Sequence, residues 1–107
     1  MLLSLQTHGL PGRLHGGLLG LATSRAESAL GRLTDQVRSV VLRLSDVNGP
    51  KGGLDRRCVA EVKLVNGQRL VTHDLGTDWG GAVGQAMDRA AAKVKRLASR
   101  RRTLARR

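Results

Sequence analysis

With one tryptophan and no phenylalanine or tyrosine in 107 residues, the interior of this chain has to be built from leucine, valine and alanine. Such a core is thin. It holds one sheet and a helix or two, and leaves little room for the deep cavity, walled by large apolar and aromatic side chains, that small-molecule sites use. No nucleophile, base and oxyanion donors can be assembled from the remaining residues either, so the expectation is a protein that is not an enzyme. Cys58 is the single cysteine, with no partner for a disulfide and no second sulfur for a zinc site. Surrounded by Val59, Val62 and Leu64, it reads as core and not as a nucleophile. His8, His15 and His73 stand far apart with no HxxxH or Cys/His pairing, so no metal is expected. Asp74 and Asp78 lie at a strand-to-helix junction, where turn formation and capping are their expected work. Cofactor, metal and small-molecule substrate are all expected to be absent.

The periodicity gives the order of elements. Met1 to Thr7 alternates and predicts a first strand, broken by Gly9, Pro11 and Gly12. Leu18, Ala22, Ala26, Ala29, Leu30 and Leu33 recur at helical spacing, which predicts a helix ending between Arg32 and Asp35, with Gly16, Gly17 and Gly20 weakening its start. Val37 to Leu44 reads as a strand with Val40, Leu42 and Leu44 on one face and Val41 and Arg43 on the other. After the turn cluster Asn48 to Gly53, Arg57 to Val65 puts Cys58, Ala60, Val62 and Leu64 on one face and Arg57, Val59, Glu61 and Lys63 on the other. Asn66-Gly67 is the strongest hairpin signal and predicts direct pairing of Lys63 to Val65 with Gln68 to Thr72. From Asp78, a plausible N-cap, the pattern turns helical. Trp79, Val83, Met87, Ala90, Val94 and Leu97 form its apolar arc, while Arg89, Lys93, Arg96 and Arg100 share a separate cationic arc. Arg101 falls on the apolar arc, so docking should stop near Ala98. Residues 1–100 then make a single α+β domain, β-α-β-β-β-α, with two helices packed on one face of a four-stranded, mostly antiparallel sheet. Residues 101–107 are expected to be a basic tail, frayed or disordered.

Nineteen Lys and Arg against eight Asp and Glu give a net charge of +11, which points to a polyanionic partner, nucleic acid or an anionic membrane surface. From Arg89 onward nine of nineteen residues are basic and none is acidic, more than solubility asks for. The plain alternative is a solvated basic face. A lipid-surface role would need a greasy helix face, and Ala, Val and Met with Trp79 as lone bulky anchor suit packing on a sheet better. The amino-terminal run Met1 to Leu5 ends too early, at Gln6, for a signal peptide or a membrane span, so a soluble, cytoplasmic protein is expected. The glycine loop is neither of two better-known loops. As a calcium loop starting at Asp46 it has Pro50 at position five, Lys51 where glycine is needed, and Arg57 where a bidentate Glu is needed. Lys51 also precedes the second glycine pair instead of following a GxxxxG, so it does not grip nucleotide phosphates.

The run Ser45-Asp46-Val47-Asn48-Gly49-Pro50-Lys51-Gly52-Gly53-Leu54-Asp55-Arg56-Arg57-Cys58, followed by the strand Val59 to Leu64, resembles the ribosome hibernation promoting factor family, also called ribosome-associated inhibitors. The resemblance spans roughly Arg25 to Arg101 and takes in Ala29-Leu30-Gly31-Arg32 and Asp78-Trp79 with Ala82 and Val83. It implies a β-α-β-β-β-α fold similar in outline to double-stranded RNA-binding domains. It also implies a translation inhibitor that lodges on the small ribosomal subunit, against its rRNA, where messenger and transfer RNA would pass. The basic positions it carries over are Lys51, Arg56 and Arg57 by the glycine loop and Arg89, Lys93, Arg96 and Arg100 on the last helix. The sequence departs from the family in its first strand and glycine-rich helix start, in Ser28 where an aromatic is common, and in the absence of the long members' C-terminal dimerisation domain. The expectation is therefore that pairing of ribosomes falls to a separate protein. A diverged RNA-binding protein, or a basic protein of anionic membrane surfaces, is the alternative.

Overall fold

The computed structural model describes residues 1–47 and 56–105, with side chains through residue 98. The expected turn Asn48 to Gly53 lies outside them, and so do the side chains of the expected tail. The elements are β1 (Leu2–His8), α1 (His15–Leu30), β2 (Val37–Asp46), β3 (Arg56–Leu64), β4 (Arg69–Gly76) and α2 (Trp79–Ala105). The four strands lie in the order β1-β2-β3-β4. β1 runs parallel to β2, as a strand joined to its neighbour through a helix can, and the other two pairings are antiparallel. The sheet is thus mixed, and the expected α+β order holds.

Alternation sorts the strands into two faces. Toward the helices the register stacks Leu3, Val40, Val62 and Leu70 in one row, Leu5, Leu42, Ala60 and Thr72 in the next, and Thr7, Leu44, Cys58 and Asp74 in a third. These rows meet Leu18, Ala22, Ala26 and Leu30 of α1 and Ala82, Val83, Ala86, Met87, Ala90, Ala91 and Val94 of α2, all buried. Trp79 and Leu97 pack on the edge of this core, half-buried. Val37 is buried although simple alternation from Val40 turns it outward. A bulge explains it: Val37 faces Leu64 and Ser39 faces Lys63, leaving Arg38 as the extra residue that resets the phase.

The hairpin differs from the expected two-residue turn by one residue. Leu64 donates its N–H to Gln68 O at 2.8 Å, and Gly67 N–H reaches Leu64 O at 3.0 Å, so Val65, Asn66 and Gly67 make a three-residue loop. A two-residue turn of the expected kind needs positive φ at both central residues, and Gly67, at +90°, has it while Asn66 does not. Val65 is also drawn away by its own bond, N–H to Gln36 O at 3.0 Å. Asn66 Oδ1 accepts from Gln68 N at 2.9 Å and closes the loop locally.

At the other end of β4 the chain turns abruptly into α2. Asp78 caps the helix: its Oδ1 accepts from Gly81 N at 2.6 Å, and its carbonyl takes the first helical bond from Ala82 N at 3.1 Å. Gly76 allows the turn, since a Cβ there would stand 2.9 Å from Ala82 N and 3.2 Å from Asp78 O, both backbone atoms. Gly76→Ala is expected to lower stability by about 1–3 kcal/mol through overpacking, read as a fall in the urea midpoint with unchanged m-value. An unaltered midpoint would show that the start of α2 shifts freely away from the sheet.

Candidate nucleic-acid interface

The cationic arc of α2 does not point straight into solvent; it lies along the outer edge of β4. Arg89, Lys93 and Arg96, with Val71, Thr72, His73 and Ala92, line a shallow cleft of about 260 Å³ between helix and strand. Lys93 Nζ donates to Val71 O at 3.2 Å. Arg89 Nε sits 3.0 Å from Asp74 Oδ2, yet that oxygen has no hydrogen bond of good geometry, so the pair is held by charge and not by an aligned N–H. Arg96 is exposed and has no ion pair or hydrogen bond among the described residues. Two of the three are therefore steered by the fold, and the cleft gathers positive charge where a phosphate could replace water.

The adjacent arginines at the start of β3 part company, as alternation requires. Arg56 turns to the helix side, where Nη1 meets Asp46 Oδ2 at 2.7 Å and its guanidinium lies over the Trp79 ring, 5.4 Å from the centroid. Arg57 turns to the opposite, helix-free face, where it is exposed and lines a cleft with Gln6, His8, Arg43, Ser45 and Val59. Lys51 lies outside the described residues, as does the side chain of Arg100, which belongs to α2 by its backbone. So the structure brings Arg89, Lys93 and Arg96 together and sets Arg56 and Arg57 apart from them and from each other.

Sequence reasoning missed Arg25. This exposed residue of α1 lies across α2, its Nη2 3.6 Å from where a Cβ of Gly80 would stand and its Cδ and Nε 3.9 Å from one at Gly84. It adds a cation at the helix-helix seam. The legible signal is the pair Gly80 and Gly84, four apart, which opens a groove that a long side chain from α1 can occupy.

The interior of the site is chemically quiet. Burial, and next the neighbouring Asp74 carboxylate, push the Cys58 thiol from its ordinary 9.0 up to about 12. Among the described residues no cluster of His, Cys, Asp or Glu could hold a metal.

Two outcomes test this arrangement. Arg89→Gln should cost about 1 kcal/mol, because it strips the counter-charge from a carboxylate only 11% exposed; screening around Arg89, itself 67% exposed, keeps the loss small. Arg96→Gln should move the melting temperature hardly at all; equal losses would show that Asp74 does not depend on Arg89. The thiol should resist alkylation at pH 8 in the native protein and react only on denaturation. A thiol neutral in the folded state far above its unfolded value contributes nothing to pH dependence below 9.0, and its share of stability falls as pH rises from 9.0 toward about 12. Rapid native alkylation would mean that β3 opens there.

No family model matches the chain, and no curated protein sequence matches it. Solved structures do. The N-terminal domain of protein Y from Thermus thermophilus superposes with a TM-score of 0.72 and 19% identity, over 91% of this chain and 99% of that one. A ribosomal subunit interface protein from Coxiella burnetii superposes with a TM-score of 0.66 and 16% identity, over 92% of this chain and 99% of its own. At these identities the likeness is one of architecture, and the β-α-β-β-β-α fold of these two proteins is the fold that this chain adopts.

Proposed function

We propose that this chain is a ribosome-associated translation inhibitor of the hibernation type. It binds rRNA of the small ribosomal subunit and blocks the path of messenger and transfer RNA by occupancy, in the cytoplasm and without catalysis. The observation that carries this reading is the cationic cleft of Arg89, Lys93 and Arg96 between α2 and β4, on a fold shared end to end with a ribosomal subunit interface protein. The Ser45 to Cys58 run, with its family resemblance, points the same way. Lys51, Arg57 and Arg100 are proposed to extend the contact, while Arg56, tied to Asp46 and stacked on Trp79, supports the loop end of β3. Recognition is of the phosphate backbone, because the one aromatic ring is half-buried against the core and none is available for base stacking.

The membrane-surface alternative loses ground on packing. Val83, Met87, Ala90 and Val94, the apolar arc that would enter lipid, are fully buried under the sheet. Among the described residues no helix is long and apolar enough to cross a membrane.

Sucrose-gradient sedimentation with ribosomal subunits and intact ribosomes tests the proposal, with a scrambled peptide of the same +11 charge as control. The expected result is saturable binding to the small subunit at salt where the peptide has washed off. The variant Lys93→Gln/Arg96→Gln/Arg100→Gln should lose that binding while melting like the parent. The slope of log affinity against log salt should shrink by about 0.9 per phosphate contact removed. Binding spread equally over both subunits, or lost alongside the peptide, would reduce the protein to a generic polycation.

A further inference from the structure

The sheet has two edges, and the fold treats them differently. β4 is guarded: α2 lies along it, and Lys93 Nζ donates to Val71 O at 3.2 Å. β1 is bare. It is seven residues long, and its register with β2 runs without a bulge from Leu2 to His8. It contains no proline, and no Lys, Arg, Asp or Glu occurs between Met1 and Gly12. Charges, proline, bulges and short strands are what keep an edge from pairing with another chain, and β1 has none of them. Among the described residues no backbone group takes up its outward N–H and C=O groups.

The helical layer is open on the same side. α1 lies between α2 and β1, and Arg25, reaching across Gly80 and Gly84, marks its flank toward α2. At about 100° per residue, Gly16, Leu19, Gly20 and Thr23 fall about 120–180° away from Arg25, on the flank toward β1. A Cβ at Gly16 or Gly20 would meet nothing within 4 Å, and Leu19 is 38% exposed. Glycine inside a helix costs roughly 1 kcal/mol against alanine, and no contact among the described residues calls for either glycine.

We propose that the β1 edge, with the adjoining flank of α1, is a two-fold interface with a second copy of this chain. Two β1 strands pair antiparallel about Leu5, setting Leu3 beside Thr7 and Ser4 beside Gln6 across the axis, and two four-stranded sheets become one of eight strands. The inference uses no residue of the α2–β4 cleft and stands apart from the RNA reading.

Geometry and charge select this occupant. Two helices over four strands take about two strands each, roughly 10 Å at about 4.8 Å per strand. The α1 helix of the second copy then falls at the spacing of about 8–10 Å at which helices pack, and glycines at the contact permit it. A chain of net charge +11 meets its own copy only where its cations are absent, and an acidic partner would find no cation on this edge to pair with. The two α2–β4 clefts end up seven strand spacings apart, about 34 Å, several Debye lengths at physiological salt, so their repulsion is screened. About a dozen residues a side, against roughly 20–30 in a standard interface, make the dimer weak and dependent on concentration.

Sedimentation equilibrium of the full chain, freed of nucleic acid by nuclease and high salt, should show monomer passing to dimer between about 1 µM and about 1 mM. Ser4→Lys/Gln6→Lys, on the exposed side of β1, sets lysines opposite one another across the axis and should stay monomeric throughout. Ser4→Glu/Gln6→Glu should do the same, and an equimolar mixture of the two variants should dimerise again through Lys–Glu pairs. Circular dichroism melts check the fold. Leu19→Lys leaves β1 untouched and should raise the dissociation constant by about tenfold or more; should the strand variants fail to fold, an unchanged constant in Leu19→Lys overturns the inference. So does a parent chain still monomeric at about 1 mM, a dimer that survives Ser4→Lys/Gln6→Lys, or a mixture of folded charge variants that stays monomeric.

Discussion

Everything in this domain depends on how closely α2 lies against the sheet. With no phenylalanine or tyrosine available, the layers are held apart by leucine, valine, alanine, one buried cysteine and one methionine, and the backbone of the helix comes within hydrogen-bonding range of a strand side chain. Thr72, buried on the inner face of β4, donates its hydroxyl to Ala86 O at 2.8 Å, a bond that a larger residue between the layers would prevent. Gly76 and Ala82 make the same approach at the helix start. Small side chains lower the apolar area that each residue can bury, and tight interlayer packing recovers part of it through dispersion contacts.

That closeness also governs the electrostatics. The eight acids of the chain are too few to balance its cations, and among the described residues three of them pin arginines: Asp46 holds Arg56, Glu61 holds Arg43 and Arg69, and Asp74 holds Arg89. Each of these acids sits on a strand, so each pinned arginine takes a defined place relative to the sheet. Arg57, Lys63 and Arg96 are left with their charge unanswered among the described residues. Lys93 is a third case. Its ammonium rests on Val71 O at the edge of β4, where it both orients the cationic arc and blunts an unpaired strand edge.

Most of the architecture was legible because period and turn chemistry agreed. The inner faces of β2 and β3, the cap at Asp78 and the arcs of α2 could all be read from spacing. What could not be read were effects of third parties: the bulge at Arg38, which turns Val37 inward, and the bond from Val65 to Gln36, which lengthens the hairpin loop by one. The site was legible as a set of cations and not as a geometry. Periodicity put Arg89, Lys93 and Arg96 on one arc. It could not show that this arc meets the edge of β4, since that depends on which way the helix crosses the sheet. Nor could it separate Arg56 from Arg57 by role, because Arg56 pairs with Asp46, ten residues away in sequence and brought beside it by strand pairing.

The stack of Arg56 on Trp79 has a practical side. Trp79 is the only indole in a chain without tyrosine, so all intrinsic indole fluorescence originates at one address, the junction of β3 with the first turn of α2. A guanidinium 5.4 Å above the ring makes the emission of that single fluorophore sensitive to whether Arg56 stays in place. The protein therefore carries its own optical reporter, without labelling, at the end of the sheet where Arg56 and Arg57 diverge.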